Sequence, residues 1–172
     1  MPIRDATAAD AAACAAIYAP YVTDTAISFE TSPPGAEEMA RRIEACLRTH
    51  AWLVLEEERR VVAYAYGGPF RERAAYRWAC EVSVYVELGR RRTGAGRALY
   101  EQLLSRLTAR GYRTALAGMT LPNEASVGLH RALGFEPAGT YRRVGYKHGR
   151  WHDVAWAQLM LAEGDEPPED PC

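Results

Sequence analysis

The stretch from Trp78 to Arg110 constrains the fold most. In Trp78–Val86, Cys80, Val82, Val84 and Val86 alternate with Ala79, Glu81, Ser83 and Tyr85, the period-two pattern of a strand with two different faces. Arg90-Arg91-Arg92-Thr93-Gly94-Ala95-Gly96-Arg97 follows at once. A helix then covers about Gly96–Arg110, striped by Leu99, Leu103 and Leu107 and closed by Gly111. Gly94 and Gly96 permit positive φ and close approach of the backbone to a ligand. The first amides of a helix lack intrahelical acceptors, and the helix dipole and the arginines add positive potential. The segment therefore predicts an anion cradle for a phosphate or pyrophosphate. Taken alone, it reads equally as a Gly-rich turn with solvated arginines. No Gly-Lys-Ser/Thr follows, so it is not a P-loop, and it lacks the G-x-G-x-x-G of a dinucleotide fold.

Elements on both sides extend this unit. Pro2–Arg4 is a short strand candidate. Thr7 and Asp10 resemble a capping box with Asp in place of Glu, ahead of a helix expected to reach about Tyr18 and end near Pro20. A second helix is predicted over Ala36–Arg48, with Met39, Ile43 and Leu47 four apart and Glu37–Arg41 and Glu38–Arg42 as supporting pairs. Trp52–Glu56 and Val61–Tyr66 read as strands joined through Glu57–Arg60, a turn without Gly or Asn, with Gly67-Gly68-Pro69 closing the second. Thr114–Met119 is a strand and Asn123–Leu133 a short helix. Two final strands, near Ala138–Tyr146 and His152–Leu161, turn around His148–Gly149. Together these elements predict a mixed α/β sheet with helices on both faces.

Composition narrows the function. The 172 residues carry 21 Lys+Arg against 22 Asp+Glu, a net charge of −1. A dedicated nucleic-acid binder is normally strongly basic, so no nucleic-acid partner is expected. No apolar run reaches the roughly 20 residues that span a bilayer, and the Ala-rich N-terminus lacks a signal pattern. A soluble, cytoplasmic chain without a membrane partner is expected. Cys14, Cys46, Cys80 and Cys172 are scattered, without a C-x-x-C pair, and read as buried small hydrophobes plus one tail thiol. Lys147 is the only lysine. Residues 1–162 are expected to form one domain, and the acidic, Pro-rich 163–172 a disordered tail.

Arg91-x-x-Gly94-x-Gly96 after the strand Val82–Val86 resembles the acetyl-CoA pyrophosphate motif of the GNAT N-acetyltransferases. Asn123 to Phe135 is similar to that family's second cofactor-side motif. Gly68-Pro69-Phe70-Arg71-x-Arg73-x-Ala75-Tyr76-x-Trp78, Glu81, and Gly145-Tyr146-Lys147-His148-Gly149-Arg150-Trp151-His152-Asp153-Val154 resemble the branch that acetylates phosphinothricin, methionine sulfoximine and methionine sulfone. The resemblance covers about Ile3 to Leu161. It implies the GNAT fold, a mixed and mostly antiparallel sheet with helices on both faces.

It also implies a mechanism. An α-amine is an ammonium at neutral pH and must lose a proton before it attacks a thioester, and Glu81 corresponds to the general base. His130 stands where many GNAT enzymes carry a Tyr, as an acid or an orienting group. The cradle Arg91, Arg92, Thr93, Gly94, Ala95, Gly96 and Arg97 would hold the acetyl-CoA pyrophosphate. Val84, Tyr85 and Val86 would offer backbone hydrogen bonds to the pantetheine arm, as an added strand does. Asn123 would face the cofactor, and from its own chemistry also reads as a helix N-cap. Arg71, Arg73 and Tyr76 are candidate anchors for an anionic acceptor, and Phe29 a lining residue of the acceptor pocket. A homodimer is implied as well.

His148, His152 and Asp153 have a spacing that resembles ligand spacing, but the segment reads as a turn into a strand and no third cluster completes a site, so no metal is expected. Cys80 lies among valines, where a thiol reads as inert core rather than as a nucleophile. The function expected is direct acetyl transfer from acetyl-CoA to the α-amine of a small amino-acid-like acceptor. A peptide or protein N-acetyltransferase and a non-catalytic acyl-CoA-binding regulatory module are the alternatives.

Overall fold

The computed structural model describes residues 2–90, 93–166 and 169–172. The chain runs β1 (Ile3–Asp5), α1 (Ala11–Thr23), α2 (Ala36–Thr49), β2 (Trp52–Glu57), β3 (Arg60–Pro69), β4 (Ala79–Val86), α3 (Ala95–Ala109), β5 (Thr114–Thr120), α4 (Glu124–Ala132), β6 (Glu136–Lys147) and β7 (Arg150–Met160). Single 3₁₀ turns lie at Ala8–Asp10 and Ala74–Tyr76. The strands form one sheet in the order β1-β2-β3-β4-β5-β7-β6. Every neighbouring pair is antiparallel except β4 and β5. The parallel pair requires a crossover, and α3 supplies it. This is the mixed, mostly antiparallel sheet expected from the sequence.

Each sheet face carries its own core. On one, Leu99, Leu103 and Leu107 of α3 pack on Cys80, Val82, Ala115 and Ala117, with Leu129 and Leu133 of the α4 region beside them. On the other, Ile17 and Tyr18 of α1 and Met39 and Ile43 of α2 cover Trp52, Val54 and Tyr64. Each fully buried Leu or Ile contributes about 1.5–3 kcal/mol. The alternation of β4 assigns its faces as the sequence implied: Cys80 and Val82 meet α3, and Tyr85 packs on the α1 side.

Two local expectations are corrected. The first helix does not end near Pro20 but runs through it to Thr23. Pro20 gives up one helical donor, yet Tyr21 and Val22 are buried on the sheet, and the Asp24 amide closes the last turn on the Pro20 carbonyl at 2.9 Å. The strand expected to close at Gly67 continues to Pro69, because Gly67, Gly68 and Pro69 pair with Val82, Glu81 and Cys80. The β2–β3 turn places Glu58 at φ 49° and Arg59 at φ 64°. Two left-handed central residues match the twist of a two-residue hairpin.

At the start of the chain, Asp10 Oδ2 accepts from the Thr7 amide at 2.8 Å and both Asp10 oxygens pair with Arg4 at 2.8 Å. At its end, the Glu169 carbonyl accepts from Trp78 Nε1 at 2.8 Å, Asp170 pairs with Arg77 at 2.7 Å, and the Cys172 amide donates to the Arg110 carbonyl at 3.0 Å.

One feature of the sheet positions the candidate site. The β4–β5 ladder joins only Ala79–Glu81 to Thr114–Leu116. Beyond Glu81 the two strands separate, although β4 continues to Val86 and β5 to Thr120. A wedge opens there in the middle of the sheet, and its β4 edge lacks a neighbouring strand.

Candidate active site

Glu81 is the last β4 residue of that ladder. It is half-buried and its strand partner on β3 is Gly68. A Cβ built on Gly68 would meet nothing within 4 Å, so open space lies beside the carboxylate. Burial raises the Glu81 pKa above the ordinary carboxylate value, and the positive charge of Arg71 opposes that shift. Among the described residues the Glu81 carboxylate has no hydrogen-bond or ion-pair partner. A partly desolvated carboxylate without a partner is a competent proton acceptor.

His130 and Tyr100 line the wedge from the α3–α4 side, with Ser83, Val84 and Asn123 around them. His130 is only 4% exposed. Its Nδ1 lies 2.7 Å from the Ser126 carbonyl and its Nε2 3.2 Å from the Tyr100 hydroxyl. Burial lowers the His130 pKa and raises that of Tyr100, so both are neutral near pH 7. The alternation of α3 shows Tyr100 only as one more residue beside the leucine stripe. Its partner comes from 30 residues away, and no local pattern signals it.

The cradle forms at the N-terminus of α3. Gly94 takes φ +82° as the N-cap, and a Cβ there would meet nothing within 4 Å. The Gly94 carbonyl accepts from the Ala98 amide at 3.0 Å, so the amides of Ala95, Gly96 and Arg97 precede the helical ladder and are available to an anion. At Gly96 a Cβ would lie 3.4 Å from Leu129, so this glycine serves the α3–α4 contact. Ala95 is buried. Thr93 donates to the Arg90 carbonyl at 3.1 Å, and Arg97 is paired with Glu101 at 2.8 Å. Arg91 and Arg92 lie outside the described residues. Asn123 caps α4, accepting from the Ser126 amide at 3.1 Å.

On β4, Val84, Tyr85 and Val86 are half-buried along the open edge. The Val86 carbonyl already accepts from the Tyr21 hydroxyl at 2.6 Å. Tyr85 stands edge-on to Tyr18 and Tyr21 at 4.9 and 5.1 Å.

The acceptor-side candidates separate into two groups. Arg71, Arg73 and Tyr76 lie on the exposed segment after β3. The Arg71 guanidinium covers the Phe70 ring at 4.8 Å, and Tyr76 meets that ring edge-on at 5.8 Å. Among the described residues the Arg73 side chain has no ion-pair or hydrogen-bond partner, while its carbonyl accepts from the Tyr76 amide at 2.9 Å. Phe29, on the α1–α2 loop, lies against Gly145 of β6. The same loop sends Ile27 to the wedge. Burial raises the Cys80 thiol to about 12, in keeping with an inert core residue. Among the described residues no group of three or more His, Cys, Asp or Glu could hold a metal ion.

Comparisons with known proteins show the family. Residues 3–156 match the family model of the acetyltransferase (GNAT) domain. The chain is 43% identical over 156 residues to the phosphinothricin N-acetyltransferase of Streptomyces viridochromogenes, covering 91% of this chain and 85% of that one. It is 38% identical to the L-methionine sulfoximine/L-methionine sulfone acetyltransferase of Pseudomonas aeruginosa, over 92% of this chain and 94% of the relative. The crystal structure of a GNAT-superfamily phosphinothricin acetyltransferase from Sinorhizobium meliloti in complex with acetyl-CoA superposes with a TM-score of 0.91. That structure is 39% identical, covering 99% of this chain and 92% of the other. The chain belongs to the GNAT acetyltransferase family.

Proposed function

We propose that this protein transfers the acetyl group of acetyl-CoA to the α-amine of a small amino-acid-like acceptor, phosphinothricin first and methionine sulfoximine or sulfone next. The observation that carries the reading is the half-buried Glu81 carboxylate, without a partner among the described residues, at the point where β4 and β5 part. The wedge fits an extended chain entering between the strands. The amides of Ala95–Arg97, with Thr93, Arg91 and Arg92, would hold its pyrophosphate, and Asn123 and the edge of Val84–Val86 would line the arm. The bound co-substrate supplies an activated acyl carbonyl and a thiolate leaving group.

Glu81 takes a proton from the acceptor ammonium, leaving the nitrogen lone pair free to attack. Negative charge develops as the C–S bond breaks. A His130 whose Nδ1–H is held by Ser126 has no proton on Nε2 to give. It is therefore the orienting group. The Tyr100 hydroxyl lines the wedge and donates its single proton to His130 Nε2, so it holds the imidazole in place rather than meeting the developing charge. Arg71, Arg73 and Tyr76 approach the acceptor's anionic groups, and Phe29 bounds its pocket.

The homodimer belongs to the same reading. Residues 136–144 of the edge strand β6 are all exposed, and Tyr141, Val144, Tyr146 and Trp151 form an aromatic and aliphatic face around it. An open edge of this kind pairs readily with a second chain. The enzyme would act in the cytoplasm.

Thiol release with acetyl-CoA tests the reading, using phosphinothricin, methionine sulfoximine, methionine sulfone, glutamate and a short peptide as acceptors. A blank without acceptor is required because Cys172 is exposed. Fast release with the first three and little with glutamate is expected. Release with the peptide alone, or with none of the five, overturns the acceptor assignment. Light scattering reports the dimer.

A further inference from the structure

Lys147 ends β6 and is only 8% exposed. Its Nζ donates to the Val22 carbonyl at 2.6 Å and to the Ser28 carbonyl at 2.7 Å. These two carbonyls bracket the stretch that leads from α1 to Phe29. The neighbouring His148 Nε2 donates to the Thr25 carbonyl between them at 3.2 Å. Two residues before the lysine, a Cβ on Gly145 would stand 2.3 Å from the Phe29 ring, so only glycine lets the ring rest on the strand. His152 of β7 donates through Nε2 to the Lys147 carbonyl at 2.9 Å and anchors the lysine's own backbone.

The opposite side of the loop is tied as well. Tyr18 is 2.6 Å from the Ser28 hydroxyl, and Glu30 pairs with Arg42 of α2 at 2.7 Å. Without the hairpin, helices α1 and α2 would hold the loop from one side only. An ammonium is compact, with three donors in different directions, and here a single nitrogen meets both carbonyls. In a chain whose other 20 basic residues are arginine, this is the one place where that geometry is used.

We propose that Lys147 is a positioning residue for the acceptor. By joining the β6–β7 hairpin to the α1–α2 loop it sets where Ile27 faces the wedge and where Phe29 rests on Gly145. It does not touch the reacting atoms. The proposal rests on Phe29 bounding the acceptor pocket, so the test separates the two.

Steady-state kinetics would compare wild type, Lys147→Met, His148→Ala and Phe29→Ala, varying phosphinothricin and acetyl-CoA in turn. Loss of two charged hydrogen bonds should raise the acceptor KM of Lys147→Met about tenfold or more, with the acetyl-CoA KM within about twofold of wild type. His148→Ala, an exposed change, should move the acceptor KM in the same direction by less. Phe29→Ala should raise it too. A raised acceptor KM in Phe29→Ala with an unchanged one in Lys147→Met overturns the role of Lys147 and leaves the pocket standing. No change in Phe29→Ala, or no wild-type turnover of phosphinothricin, overturns the pocket assignment and the proposal with it. An equal rise in both KM values shows general loosening and also overturns it. If Lys147→Met does not fold, an unchanged acceptor KM in His148→Ala decides against the proposal.

Discussion

His130 Nδ1 lies 2.7 Å from the Ser126 carbonyl while Nε2 lies 3.2 Å from the Tyr100 hydroxyl. A carbonyl only accepts, so Nδ1 carries the proton and Nε2 accepts from Tyr100. The histidine thus holds a tyrosine from another helix at the inner end of the wedge, and burial disfavours its protonated form.

Tyr100→Phe leaves the buried His130 Nε2 without its donor and should lower kcat about tenfold, with the acetyl-CoA KM near its wild-type value. His130→Ala should lower kcat in the same sense. Wild-type turnover in Tyr100→Phe would remove the hydroxyl from the reaction. Stopped-flow single turnovers separate this effect from product release.

The pH dependence follows from Glu81. Its pKa is raised in the folded protein, so activity should fall on the acid side through an ionisation above the ordinary carboxylate range. His130, pushed down by burial, should contribute no step near its usual value. Glu81→Gln should reduce kcat by about 10²–10⁴ and abolish that acid limb. An acid limb kept unchanged in Glu81→Gln would assign the base elsewhere.

The same shift makes a stability prediction. A carboxylate with a raised folded pKa stabilises the fold at pH below its unfolded value, and that contribution is lost as pH rises through the folded one. At neutral pH the charged Glu81 therefore destabilises. Glu81→Gln should raise Tm near pH 7–8, and the difference should vanish in acid. A lower Tm at neutral pH would mean that the carboxylate has a compensating partner.

Asn123→Ala removes the side-chain cap of α4 and should cost about 1 kcal/mol in urea unfolding. Asn123→Ser keeps a capping oxygen and should restore most of that stability. If Asn123 also faces the cofactor, Asn123→Ser recovers stability but not acetyl-CoA affinity, which calorimetric titration reads directly.

The β2–β3 turn is an avoidable strain. Glu58→Asn with Arg59→Gly supplies residues that accept positive φ, and should stabilise by about 0.4–1 kcal/mol and raise Tm by roughly 2–4 °C. A fall in Tm would show that the two side chains have roles beyond the turn.

Much of this was readable in the chain. The alternation of Cys80, Val82, Val84 and Val86 against Glu81 and Tyr85 marks both faces of β4. The Leu99–Leu103–Leu107 stripe and Gly94 likewise marked α3 and its N-cap. These signals are local: side-chain direction repeats every two residues in a strand and about every 3.6 in a helix, so apolar spacing encodes burial directly. Family motifs added expectations for a base, a cofactor cradle and acceptor-side loops.

The rest depends on distances that spacing does not carry. Pro20 reads as a helix end because proline removes a donor, and burial of Tyr21 and Val22 reverses the local preference. Tyr100 meets His130 across 30 residues, and Lys147 meets Val22 across 125. The early end of the β4–β5 ladder is a property of two strands that twist apart. Local sequence determined which elements form and which faces they bury. Tertiary packing alone decided where the sheet opens and which polar side chains stand at the opening. Polar contacts need matched positions from distant segments, whereas burial needs only a pattern within one.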